Sequence, residues 1–172
     1  MFEFRDLVEQ EIPRLRRYAR ALTRNADRAD DLIQDTLLRA LAKAHLWQPG
    51  TDLRAWLFTV MHNQYVNAVR RAMHDHNTVD IDQMSSSLVA TTDPTGSRQL
   101  HELDRALGRL PEEQRAVILL VGLEGMSYET AAEILSVPVG TVRSRLSRGR
   151  DALRRLMGLP SRGDAATEPV AA

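Results

Sequence analysis

The chain has 172 residues, 23 Lys and Arg balanced by 23 Asp and Glu, and no cysteine; that length holds one domain or two small ones. Zero net charge argues against a protein that grips nucleic acid indiscriminately by bulk charge, and the lack of cysteine excludes disulfides and thiol nucleophiles and suits a reducing cytoplasm. Acids punctuate the opening MFEFRDLVEQ, and no stretch approaches the roughly 18 apolar residues of a membrane span, so neither secretion nor membrane insertion is expected.

Ala and Leu dominate the apolar content and aromatics are few, which favours helices. In the first half Leu7, Val8, Ile12, Leu15, Ala19 and Leu22 recur three or four apart, and so do Leu32, Ile33, Leu37, Ala40 and Leu41. Both patterns predict amphipathic helices that bury one face, separated at residues 25–27. Pro49 and Gly50 break the chain, and a third helix is expected over about 53–71, with Trp56, Leu57, Val60, Tyr65 and Val69 on its apolar side. Residues 79–97, VDIDQMSSSLVATTDPTGS, hold no sustained period and read as a flexible acidic linker.

The second half predicts helices over about 99–110 and 112–123, the latter with acids in its first turn and Gly125 beyond its end. Ser127 is placed to cap a short helix over 128–135, although Thr130 stands where a capping box wants Glu or Gln. A last helix follows Pro138 and runs over about 139–157; two short helices separated by about three residues are the layout of a helix-turn-helix. The final SRGDAATEPVAA is expected to be a disordered tail.

Neutral total charge hides an uneven distribution. Arg143, Arg145, Arg148, Arg150, Arg154 and Arg155 face only Asp151 on the last helix, while residues 77–97 carry Asp80, Asp82 and Asp93 without Lys or Arg. Helical projection puts Val142, Leu146 and Leu153 in one sector and Ser144, Arg145 and Arg148 opposite, with Arg143 and Ser147 at the edge. Such a face can fork guanidinium onto guanine and offer hydroxyl to bases or phosphates, with Arg143, Ser144, Ser147 and Arg148 early enough to enter a major groove. The plain alternative is a solvated basic face.

Asp27, Asp30, Asp31 and Asp35 crowd the start of the second helix, where the helix dipole favours acids and where, with Gln34, they can also meet a basic protein surface. Trp47, Trp56, Phe58, Asn63, Tyr65 and Asn67 precede Arg70 and Arg71, a mixture of rings, polar groups and charge suited to single-stranded nucleic acid. Trp56 is expected in the core.

Four segments in order resemble the extracytoplasmic-function, or group 4, sigma factors. DRADDLIQDTLLRAL at 27–41 resembles the core-polymerase-binding helix of region 2, and WQPGTDLRAWLFTVMHNQYVNAVRR at 47–71 its minus 10 segment. LGRLPEEQRAVILLVGLEGMSYETAAEIL at 107–135 resembles the start of region 4, and SVPVGTVRSRLSRGRDALRRL at 136–156 its minus 35 helix. The resemblance implies an all-α protein with region 2 at 1–76, a linker at 77–97, region 4 at 98–159 and a tail at 160–172. It implies that Asp31, Leu32, Gln34 and Asp35 meet core RNA polymerase, and that Trp47, Phe58, Asn63, Arg70 and Arg71 serve the minus 10 element. Arg143, Ser144, Ser147 and Arg148 would serve the minus 35 element of promoter DNA.

The resemblance further implies a separate anti-sigma factor as regulator, a place near the proteobacterial general-stress branch, and no cofactor. Two other readings remain: a helix-turn-helix regulator that acts without polymerase, and an adaptor that binds protein only. An enzyme is least expected, because the five His residues show no familiar metal spacing and Ser127 lacks a base and orienting partner.

Overall fold

The computed structural model describes residues 2–75 and 94–160, and among them every regular element is helical. The chain runs α1 (Phe2–Thr23), α2 (Ala26–Ala42), a 3-10 turn (Ala44–Leu46), α3 (Leu53–Asp75), α4 (Pro94–Arg109), α5 (Glu112–Ile118), a π turn (Leu119–Leu123), α6 (Tyr128–Leu135) and α7 (Val139–Leu156). Helix α4 begins four residues before the boundary expected at 98. The rest of the expected linker, and the tail beyond 160, lie outside the described residues.

Local chemistry sets the boundaries. Arg24 takes a left-handed φ of 54°, and Asn25 then caps α2, its side-chain oxygen accepting from Arg28 N at 3.0 Å. Gly50 adopts φ +90° in the turn before α3, where Asp52 accepts from Ala55 N at 3.0 Å. Ser127 caps α6, its hydroxyl oxygen accepting from Thr130 N at 3.0 Å and its hydroxyl donating to Thr130 Oγ1 at 2.9 Å.

The helix expected over 112–123 is interrupted. Past Ile118 it widens into the π turn, with Glu124 N donating to Leu119 O at 3.0 Å, before Gly125 at φ +66° ends it. The widening carries Glu124, an acid, into the interior.

Helices α1, α2 and α3 form one cluster and α4 to α7 a second. In the first, Leu15, Tyr18, Leu22, Leu57, Phe58 and Met61 are fully buried, and the rings of Tyr18 and Phe58 meet edge to face at 5.1 Å. In the second, Val117, Leu120, Ile134 and Val142 fill the centre. Gly149 lets α7 approach α5: a Cβ there would stand 2.6 Å from Ile118 Cδ1.

The two clusters touch, and the buried apolar residues of both belong to one continuous core. Three arginines span the seam. Arg24 forks onto Asp104, Nη1 to Oδ1 at 2.9 Å and Nη2 to Oδ2 at 3.3 Å, with the two side chains 16% and 4% exposed. Gly108, one turn further along α4, leaves the guanidinium its room, since a Cβ would lie 2.5 Å from Arg24 Nε. Arg115 donates to Leu107 O and Leu110 O at the end of α4 and to Leu22 O at the end of α1, at 2.9, 3.1 and 2.9 Å, satisfying carbonyls that helix ends leave open. Arg17 pairs with the buried Glu124 at 2.9 Å.

Candidate nucleic-acid interface

Helix α7 turns Val142, Leu146 and Gly149 inward, and Arg143, Ser147 and Arg148 stand exposed away from that stripe. Ser144 is half-buried, its hydroxyl donating to Thr141 O at 3.1 Å. Arg145 departs from the outward sector in which the projection placed it. It lies only roughly 60° around the helix from Val142, so its guanidinium lies along the edge of the core and reaches Glu113 at 3.5 Å. The free strip is therefore Arg143, Ser147 and Arg148, with Ser144 beside it.

On α2, Asp31, Gln34 and Asp35 are exposed, but Leu32 is 5% exposed and packs in the core. Leu32 can hold this helix in place but cannot touch a partner in this arrangement. The apolar side chains that do face out are Leu38 and Leu41, the first 67% exposed; they share a sector of roughly 120° with Asp31, Gln34 and Asp35. The sequence periodicity had assigned Leu41 to the buried stripe, because one residue past Ala40 falls at the stripe's edge. An acidic face carrying exposed leucines suits docking of a protein with a basic rim and an apolar centre.

The residues expected to read the opened strand separate by depth. Phe58 is 1% exposed under Tyr18, so its ring supports the cluster from within and is closed to a base. Asn63, Arg70 and Arg71 are exposed along α3, and Trp47 is half-buried after the 3-10 turn. Trp56 packs against the core, as its position in the apolar pattern suggested. Arg39 of α2 joins Arg70, Arg71, Asn67 and Gln64 around one basic depression. The sequence pattern missed Arg39, which only the packing of α2 on α3 brings to that place.

The expected Tyr65 contribution to the apolar side is made, and burial, with the Glu112 carboxylate nearby, pushes its hydroxyl pKa far above the ordinary 10.0. His62 lines the same inter-cluster cavity as Tyr65, Glu113 and Arg145. Its Nδ1 is buried without a partner, and burial lowers its pKa below 6.5. Among the described residues no group of His, Cys, Asp and Glu has the arrangement of a metal site, and no helix is long and apolar enough to cross a membrane.

Two family models divide the chain as its helical clusters do. Residues 8–62 match the Sigma2 domain of PhyR and residues 100–153 match sigma-70 region 4. The ECF RNA polymerase sigma factor EcfG of Rhodopseudomonas palustris is 41% identical over 89% of this chain and 84% of its own. The RNA polymerase sigma factor CarQ of Myxococcus xanthus is 31% identical over 90% and 89%. The fold matches the sigma factor RpoE of Bartonella quintana, solved with the anti-sigma factor NepR, at a TM-score of 0.80 and 35% identity over 94% of this chain and all of that one. The chain belongs to the extracytoplasmic-function sigma factors of the sigma-70 family, on the side of the general-stress branch.

Proposed function

We propose that the chain carries out the family's role through three surfaces: it binds core RNA polymerase by the acidic, leucine-bearing face of α2, reads the minus 35 element with α7, and holds the opened minus 10 strand along α3. Domain boundaries near 76 and 94 follow from that division. The observation that carries the reading is the strip Arg143, Ser147 and Arg148 on α7, opposite the buried Val142, Leu146 and Gly149, on a chain whose α2 presents Asp31, Gln34, Asp35 and Leu38 to solvent. A regulator acting without polymerase needs the first feature but has no use for the second.

Asp31, Gln34 and Asp35 take the polymerase-facing role, with Leu32 fixing the helix behind them. Asn63, Arg70, Arg71 and Arg39 follow the strand backbone and base edges, Trp47 supplies an aromatic surface, and Phe58 supports them from the core. Arg143, Ser144, Ser147 and Arg148 enter the major groove. The chain does no chemistry itself, since nucleotide addition belongs to the polymerase. Its place is the cytoplasm, with the transcription machinery, and the relative solved with the anti-sigma factor NepR supports regulation by an anti-sigma partner.

The closed arrangement cannot serve both promoter elements at once. A compact body of this size has a radius of gyration of about 15 Å, so it spans about 40 Å. Elements centred about 25 base pairs apart are separated by roughly 85 Å at 3.4 Å per pair. The arginine seam therefore opens when the chain joins polymerase. Footprinting of promoter DNA checks the reading: protection at both elements is expected with chain and core polymerase together, and protection by the chain alone would favour the polymerase-independent regulator.

A further inference from the structure

The seam between the two clusters carries unpaired polar atoms as well as arginine bonds. Among the described residues, the Tyr18 hydroxyl on α1, His62 Nδ1 on α3 and Glu124 Oε2 beyond the π turn are buried there without a hydrogen-bond partner. Tyr18 and Glu124 are 1% and 3% exposed. The other Glu124 oxygen accepts from Arg17 Nη2 at 2.9 Å, which leaves Oε2 unused.

Each of these atoms lies where the clusters meet. Burial, with the Glu124 and Glu112 carboxylates of the second cluster, pushes the Tyr18 hydroxyl pKa far above the ordinary 10.0. His62 shares its cavity with Glu112, Glu113 and Arg145, and Glu124 reaches α1 through Arg17. The Tyr18 ring packs edge to face on Phe58 at 5.1 Å, a contact that phenylalanine would make as well, so the hydroxyl adds only an unpaired group to the closed form. Buried polar groups are nearly always bonded, and interfaces that stay shut are more apolar than those that part. Separating the clusters returns these atoms to water.

We propose that these atoms form a built-in release: closure by the Arg17, Arg24 and Arg115 bonds is opposed by the unpaired Tyr18 hydroxyl, His62 Nδ1 and Glu124 Oε2, and Tyr18 sets how readily the chain opens to join polymerase. Each polar group left buried and unpaired moves the closed-to-open ratio toward open by about tenfold. Closure held by the arginines alone would resist a partner, whereas closure opposed in this way yields when α2 is captured. Tyr18 thereby governs capture although none of the three proposed surfaces includes it.

This inference rests on the reading that the seam opens on polymerase, and one substitution tests it with two readouts. Tyr18→Phe keeps the ring and removes the hydroxyl. Added to the full chain carrying Arg24→Ala, which loses the Asp104 fork, it should move the closed-to-open ratio about tenfold back toward closed and return the small-angle scattering radius toward that of wild type. In the otherwise native chain it should slow capture by core RNA polymerase by as much as about tenfold, with circular dichroism unchanged. A radius and a capture rate that stay put overturn the inference, and so does a variant that opens further because its hydroxyl had been bonded across the seam. An Arg24→Ala chain that stays closed shows no balance to tip and overturns it too. The scattering readout needs no polymerase: if wild type fails to bind core polymerase, the functional reading falls while reclosure still decides the role of Tyr18.

Discussion

Arg24→Ala is expected to open the molecule before it unfolds it. The substitution leaves the Asp104 carboxylate, 4% exposed, without its guanidinium, and breaking a buried pair from one side costs about 3 to 5 kcal/mol. Because Arg24 retains some solvent contact, the lower figure applies, and about 3 kcal/mol moves a closed-to-open ratio on the order of a hundredfold. The cost is avoided by separating the clusters, which returns Asp104 to water. Small-angle scattering reads the outcome: a closed body of about 15 Å radius of gyration should rise past about 20 Å once two units of about 11 Å move apart.

Gly108→Ala sharpens the test, since its Cβ would meet Arg24 Nε at 2.5 Å and displace the fork without removing a charge. Alanine favours an exposed helix over glycine by about 1 kcal/mol, so this variant should open the seam while stabilising α4. If both variants lower the melting temperature and leave the radius unchanged, the arginine seam belongs to folding alone and the opening argument fails.

Gly149→Ala should destabilise the second cluster by about 1 to 3 kcal/mol through overpacking, because its Cβ would fall 2.6 Å from Ile118 Cδ1; thermal melting checks it, and an unchanged midpoint contradicts the close α5 to α7 approach. Arg143→Ala and Arg148→Ala should each weaken minus 35 duplex binding by about 1 to 3 kcal/mol with the fold intact, measured by gel shift alongside circular dichroism. Asp31→Asn with Asp35→Asn should weaken capture by core polymerase and leave duplex binding by α7 unaltered in a pull-down and gel-shift pair. Acid should loosen the seam: His62 sits below its ordinary 6.5 through burial, against the pull of Glu112. An opened chain therefore takes up a proton as pH falls through about 6.5 that the closed form refuses. Closure is full above that pH and weakens below it, even with Glu113 and Arg145 lining the same cavity; His62→Gln should flatten the slope of scattering radius between about pH 7.5 and about pH 5.5.

The helices and their order were legible because amphipathic spacing, Pro and Gly breaks and capping residues are local signals. Asn25, Gly50 and Ser127 each act where the chain chemistry puts them. The α7 faces were legible too, except for Arg145, whose place at the rim of the stripe depends on Glu113 of α5. The π turn was not, since nothing in the sequence around Val121 and Gly122 marks one extra residue per turn. Burial separated the carried-over site residues in a way that residue type could not: Leu32 and Phe58 lie under the surface, while Leu38 and Arg39 take exposed places. The seam was beyond reach, because Arg24 and Asp104 meet across 80 residues of sequence, and Arg17 and Glu124 across 107, and neither pair shares a periodic pattern.

Transcription from a pool of promoter fragments by purified core polymerase tests the central claim most directly, with the intact chain compared against Arg148→Ala and Trp47→Ala. The account predicts chain-dependent initiation from a shared promoter pattern, weakened by Arg148→Ala at the minus 35 element and by Trp47→Ala at strand opening. Tight binding to core polymerase without initiation from any promoter would contradict it and leave a protein-only adaptor.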